Sequence, residues 1–115
     1  MTLSALNPLE YALPAGLADR IHETAISAAR RAGVIQMQHF RNAAVRCHRR
    51  LHDVKLETDR KCESAIIAAI RERFPEHAIL SEESGALPGG AGYTWIIDPL
   101  DGTVNFWHGL PFFCV

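Results

Sequence analysis

Two aspartates three residues apart, Asp98 and Asp101, follow the apolar run Trp95-Ile96-Ile97 and lead straight into Gly102-Thr103-Val104-Asn105-Phe106. A second acidic pair, Glu82-Glu83, follows Ala78-Ile79-Leu80-Ser81. If the two apolar runs are neighbouring strands, three or four carboxylates meet at one sheet edge. Two such charges about 5 Å apart repel by roughly 3 kcal/mol at an effective dielectric near 20, so a fold that gathers them needs cations, protons or basic side chains to compensate. Oxygen donors with few His or Cys nearby favour Mg²⁺ over zinc. Pro99 restricts Asp98 to an extended conformation, which turns the chain so that Asp98, the Leu100 carbonyl and Asp101 could face one ion. Gly102 lets the backbone approach a ligand closely. Thr103 offers a hydroxyl, and the N–H groups of a helix opening there suit a phosphate. A metal, a phosphate pocket and an activated water together point to phosphomonoester hydrolysis. A plainer reading stands beside this one. Asp-Pro and Asp-Gly are turn dipeptides, Asp101 is a ready helix cap, and Glu82-Glu83 fits a solvated loop. Spacing by itself leaves both readings open.

The elements that must carry these residues follow from periodicity. Leu17, Ile21, Ala25, Ala28, Ala32 and Ile35 recur at helical spacing, so the pattern predicts an amphipathic helix over Leu17 to Phe40. Gly33 either costs that helix about 1 kcal/mol relative to Ala or marks a close helix contact. Residues 41–57 are polar and basic and hold no lasting period. A second helix is expected from Thr58-Asp59, either of which can cap it, with Cys62, Ile66, Ala69, Ile70 and Phe74 as its buried stripe and Pro75 as its stop. A strand over Ala78 to Leu80, a loop over Gly85 to Gly92, a strand over Tyr93 to Ile97, a short helix opening at Asp101-Gly102-Thr103 and a third strand from Pro111 complete the expectation.

The bulk properties narrow the classes. The chain has 115 residues, 48% hydrophobic and 22% charged, which suits at most one soluble domain. A formal net charge of −1 argues against a general nucleic-acid or anionic-membrane binder. No apolar run is long enough to span a bilayer. Met1 to Leu6 lack the basic start and long apolar stretch of a signal peptide. Cys47, Cys62 and Cys114 are odd in number and widely spaced, and read as reduced thiols of a cytoplasmic protein. The last residues, Pro111-Phe112-Phe113-Cys114-Val115, form an apolar run that no turn closes. The expectation is therefore the N-terminal part of a longer protein, or a truncated product of one: a lead-in over 1–15, then an incomplete domain over 16–115.

The stretch Trp95-Ile96-Ile97-Asp98-Pro99-Leu100-Asp101-Gly102-Thr103-Val104-Asn105-Phe106 resembles the signature of the inositol monophosphatase family. Two further elements match in order: Ile79-Leu80-Ser81-Glu82-Glu83-Ser84, and Asp53-Val54-Lys55-Leu56-Glu57-Thr58-Asp59, which resembles the family's segment with a helix-opening Asp. The likeness runs from about Leu17 to the last residue. It implies an α/β (α+β) layered sandwich of the inositol monophosphatase and sugar phosphatase type, with only the N-terminal helices and first strands present. It implies Mg²⁺ as cofactor. By resemblance, Glu82, Asp98, the Leu100 carbonyl and Asp101 are metal ligands, and Glu82 and Thr103 position the attacking water. Gly102 and Thr103, beside Leu100 and Asp101, hold the phosphate. Asp59 bonds to the threonine and supports a further, weaker metal.

Three departures qualify the match. The family's later metal-binding Asp is not in this chain. Its Val-Thr stands here as Lys55-Leu56, and a lysine common upstream stands as His48, with Arg46, Arg49 and Arg50 nearby. The implied activity is hydrolysis of a small phosphorylated alcohol such as inositol monophosphate. Histidinol phosphate, a sugar bisphosphate or a 3′-phosphonucleotide would use the same core, and a non-catalytic fragment is the reading from another class. The resemblance also implies a homodimer, while the net charge and the lack of a long apolar run speak against nucleic acid and membrane as partners. His48 and His52, four apart, lack the Glu of a zinc-protease helix, and Gly85 to Gly92 lacks the Lys-Ser/Thr of a P-loop.

Overall fold

The computed structural model describes residues 13–42 and 51–115. The expectations for most of the lead-in, and for Arg46, Cys47, His48, Arg49 and Arg50, lie outside the described residues. Helix α1 runs over Leu17–His39. Its sequence has no proline and five alanines, and Phe40 ends it by turning extended. The buried line is Thr24, Ala28, Ala32, Gln36 and His39. This is rotated from the predicted stripe: Ala25 is exposed, and three polar side chains lie inward. Burial of Thr24 is tolerated because its hydroxyl donates to the Arg20 carbonyl one turn back, at 2.8 Å.

Helix α2 runs over Leu51–Arg73, which corrects the predicted start. Thr58 and Asp59 do not cap this helix; they lie inside it. Residues 51–57 hold no glycine or proline, so nothing stops the helix from beginning earlier. Thr58 is kept from competing with the helix backbone by a tertiary partner, since its Oγ1 lies 2.7 Å from His39 Nδ1 on α1. Phe74, which precedes Pro75, lies just past the helix end, as the proline demands. The stripe Cys62, Ile66, Ala69, Ile70 and Phe74 is buried as expected and packs with Ala28, Ala32 and Ile79 into the core. The alanines let the two helices come close, and the Cys62 thiol reaches the Ala32 carbonyl at 3.6 Å.

Strands β1 (Ala78–Ser81), β2 (Gly85–Leu87) and β3 (Thr94–Ile97) form one sheet in the order β2-β1-β3. The stretch expected as loop from Gly85 therefore opens as a strand. It folds back antiparallel on β1, pairing Ile79 with Leu87 and Ser81 with Gly85, and Gly85 takes a positive φ of 71° at the turn. β3 runs parallel to β1, from Ala78 opposite Thr94 to Ser81 opposite Ile97. Helix α3 is short, Thr103–Trp107. The strand predicted from Pro111 does not form. Pro111 has no N–H to give a ladder, the Phe112 N–H turns back to the Leu110 carbonyl at 2.8 Å, and only a bridge between Asp101 and Cys114 remains.

Candidate metal and phosphate site

The parallel pairing of β1 with β3 decides where the acids go. Ser81 and Ile97 are the last register pair. Glu82 and Asp98 therefore leave the sheet at the same edge, on strands that neighbour each other at roughly 4.8 Å. Both are exposed, as are Glu83 and Asp101. After β3, Asp98 Oδ1 accepts the Leu100 N–H at 3.3 Å, closing a turn around buried Pro99. The Asp101 backbone then exchanges both of its hydrogen bonds with Cys114, at 3.0 and 3.1 Å.

Gly102 caps α3 with φ 80°. A Cβ on it would stand 2.7 Å from the Phe112 carbonyl oxygen. In this chain the glycine is required by the neighbouring backbone as much as by any ligand. The Thr103 hydroxyl lies 3.2 Å from the Leu100 carbonyl. A carbonyl can only accept, so the Thr103 proton points at Leu100 and its lone pairs are left to accept from a water. The first N–H groups of α3 have no acceptor within the helix and converge on the same end. A cleft of about 550 Å³ borders Asp101, Gly102, Asn105, Phe112 and Phe113, with Thr103, Glu82 and Asp98 outside its lining.

Asp59 is only 2% exposed and sits mid-helix on α2, which packs against α3. Its position is thus one on the inner face of a helix and not at a helix opening. Its charge, after burial, helps raise the Cys62 thiol to about 11, which keeps that cysteine protonated and structural.

Five residues, Gln36, His39, Thr58, Glu63 and His77, hold this region together through contacts that the sequence alone does not show. Gln36 on α1 is 3% exposed, and its Nε2 donates to the carbonyls of Pro99 at 3.0 Å and Cys114 at 3.2 Å, tying the Asp98 turn to the helix. His39 and Thr58 join α1 to α2 one residue from Asp59. Glu63, on the face of Cys62 and Ile66, accepts hydrogen bonds from the Ser81 and Ser84 hydroxyls and, at 3.2 Å, from the Ser84 N–H. Burial alone would raise its pKa, but the bonds from Ser81 and Ser84 outweigh burial and bring it below the ordinary glutamate range. His77 accepts the Trp95 indole N–H on Nδ1 at 3.0 Å. Burial, then Arg20 and Arg71, hold its pKa below the usual value. One signal was available: Asp59 and Glu63 are charged residues on an otherwise apolar stripe. Gln36 and His77 carried none, because their partners are backbone carbonyls and an indole far away in sequence.

Glu82, Asp98, Asp101 and the Leu100 carbonyl are all hard oxygen donors, and this chemistry fits a divalent cation of the Mg²⁺ type. Among the described residues, no three acids, histidines or cysteines are gathered closely enough to hold an ion. The donor set fits; its closure around a metal is not present in the described residues.

Residues 17–115 match the model of the inositol monophosphatase family. The chain is 39% identical over 104 residues to inositol monophosphatase 3 of Solanum lycopersicum, covering 87% of this chain and 39% of that protein. It is 53% identical over 66 residues to Nus factor SuhB of Pseudomonas aeruginosa, covering 55% and 24%. Among solved structures, the extragenic suppressor protein suhB of Bartonella henselae superposes with a TM-score of 0.69 at 32% identity, covering 82% of this chain and 36% of that one. An inositol monophosphatase from Anabaena gives 0.63 at 35% identity, covering 85% and 34%. The chain thus spans between about a quarter and two fifths of the length of these proteins.

Proposed function

The chain belongs to the inositol monophosphatase family, and from that premise we propose that it carries the metal and phosphate face of a Mg²⁺-dependent phosphomonoesterase acting on a small phosphorylated alcohol. The single observation that supports this most is the parallel register of β1 and β3, which brings Glu82 and Asp98 out side by side. Glu82, Asp98, Asp101 and the Leu100 carbonyl would hold the metal. When bound, it supplies positive charge to the phosphate and lowers the pKa of a water. The chain's own residues do the rest. Thr103, its proton committed to Leu100, accepts from the water and aims it. The N–H groups at the start of α3 take phosphate oxygens. Gln36 keeps the Asp98 turn from swinging away. Inositol monophosphate is the default substrate; histidinol phosphate, a sugar bisphosphate and a 3′-phosphonucleotide fit the same donors. A homodimer and a cytoplasmic setting belong to the same proposal. Among the described residues no helix is long and apolar enough to cross a membrane. Some relatives are named Nus factors, but a net charge of −1 gives this chain no general attraction for nucleic acid.

Phosphate release from inositol monophosphate, followed with and without Mg²⁺, tests the reading. We expect Asp98→Asn to lower turnover at least about 100-fold, as loss of a charge-stabilising group does, with an unchanged circular dichroism spectrum. Full Mg²⁺-dependent turnover by that variant would sink the assignment. The second reading is a chain that does not turn over substrate by itself. Robust turnover by the unsubstituted chain would refute it.

A further inference from the structure

The acids at the sheet edge are exposed, and something must hold them there. Glu82 sits in a turn over residues 82–84 that joins β1 to β2. That turn is gripped from below by one side chain. Glu63 projects from α2 and is 5% exposed. Its Oε2 takes the Ser81 hydroxyl and the Ser84 N–H, and its Oε1 takes the Ser84 hydroxyl. The bonds thus come from both sides of Glu82, and none leaves the carboxylate idle. We propose that Glu63 is a positioning residue which clamps the Ser81–Ser84 turn and so holds the Glu82 carboxylate beside Asp98 for a divalent cation.

Three physical arguments carry this. A buried carboxylate is costly unless it is satisfied by hydrogen bonds, and here the turn alone satisfies it. A turn needs no buried acid from another element merely to reverse direction, and the glycine at 85 with its positive φ already serves that end. The clamp also links two elements, since α2 carries both Asp59 and Glu63, buried and one helical turn apart. The role assigned to Glu63 rests on the reading of Glu82 as a metal ligand; the clamp itself does not.

The test uses the full chain and Mn²⁺ alone as the probe, with free Mn²⁺ read by electron paramagnetic resonance. Backbone amide exchange at Glu83 and Ser84 is measured in parallel without metal. Glu63→Ala is expected to speed exchange at Ser84 and weaken Mn²⁺ binding about tenfold each, the scale of one lost charge-assisted bond. Glu63→Gln, which keeps one acceptor oxygen, recovers part of both losses. Ser84 is exposed, so Ser84→Ala keeps the fold and is expected to weaken Mn²⁺ binding about threefold, in proportion to the single donor removed. Unchanged exchange in Glu63→Ala, or unchanged Mn²⁺ affinity in both Glu63→Ala and Ser84→Ala, overturns the proposal. Should Glu63→Ala not fold, Ser84→Ala alone decides. Asp98→Asn separates the two levels. If it abolishes Mn²⁺ binding while Glu63→Ala and Ser84→Ala both leave it intact, the clamp fails and the metal reading stands. If the unsubstituted chain binds no Mn²⁺, or Asp98→Asn binds it unchanged, the metal reading fails and takes the role of Glu63 towards the metal with it.

Discussion

Gly102 shows how one residue can answer two demands. Its φ of 80° and the Phe112 carbonyl 2.7 Å from a would-be Cβ leave no room for a side chain. Gly102→Ala is expected to destabilise by about 1–3 kcal/mol, the range for strained backbone, seen as a lower urea midpoint. His77 makes a prediction about pH. Its pKa is lowered in the fold, first by burial and then by Arg20 and Arg71. The folded state therefore holds fewer protons than the unfolded one between its lowered value and the ordinary histidine value near 6.5. Stability is fully present above that ordinary value and falls as pH drops below it, until the folded-state pKa is passed. Urea titrations from pH 7.5 to 5 should show this fall, and His77→Phe should flatten it. At this scale the sequence was legible where a residue type names its own chemistry, as in Asp98-Pro99-Leu100-Asp101-Gly102-Thr103. It was not legible for Glu63, whose role depends on serines 18 and 21 positions away.

Two helices do most of the positioning, and periodicity found both. The apolar stripe of α2 was read correctly because burial of Cys62, Ile66, Ala69 and Ile70 follows from hydrophobicity alone. Its start was misread because Thr58 is a good cap in isolation, and only the contact with His39 shows why it is better placed inside the helix. The buried line of α1 was misread for a related reason: Thr24, Gln36 and His39 are polar and find their partners inside the fold. Two predictions belong here. A Cβ on Gly33 meets nothing within 4 Å, so Gly33→Ala should stabilise by about 0.5–1 kcal/mol through helix propensity and chain entropy, read as a higher thermal midpoint. Gln36→Leu, by contrast, removes the donor that serves the Pro99 and Cys114 carbonyls. A loss of about 1–3 kcal/mol follows from leaving those groups without it, with a shift of the Leu100 and Asp101 amide resonances marking the released turn.

Across the molecule, the sheet is dressed on one side only. Ile79 is buried against the helices, whereas Leu80, Ala86 and Ile96 stand in a cross-strand row on the outer face, with Ile96 80% exposed. A hydrophobic dye should bind this face, and Ile96→Thr, which keeps a β-branched side chain, should reduce the signal with less than about 0.5 kcal/mol change in stability, as is usual for exposed sites. The two helices, the strands that precede the acids and the hard oxygen donors are legible in residue type and short-range spacing, and the ordered motifs carry the resemblance to the family. Tertiary structure alone decided that β3 lies parallel to β1, so that Glu82 and Asp98 share an edge. It also decided which buried polar groups hold that edge in place: Gln36 for the Asp98 turn and Glu63 for the Glu82 turn. The reason is that strand neighbours and buried hydrogen bonds join residues far apart along the chain, and no local pattern of residue types encodes which distant groups will meet.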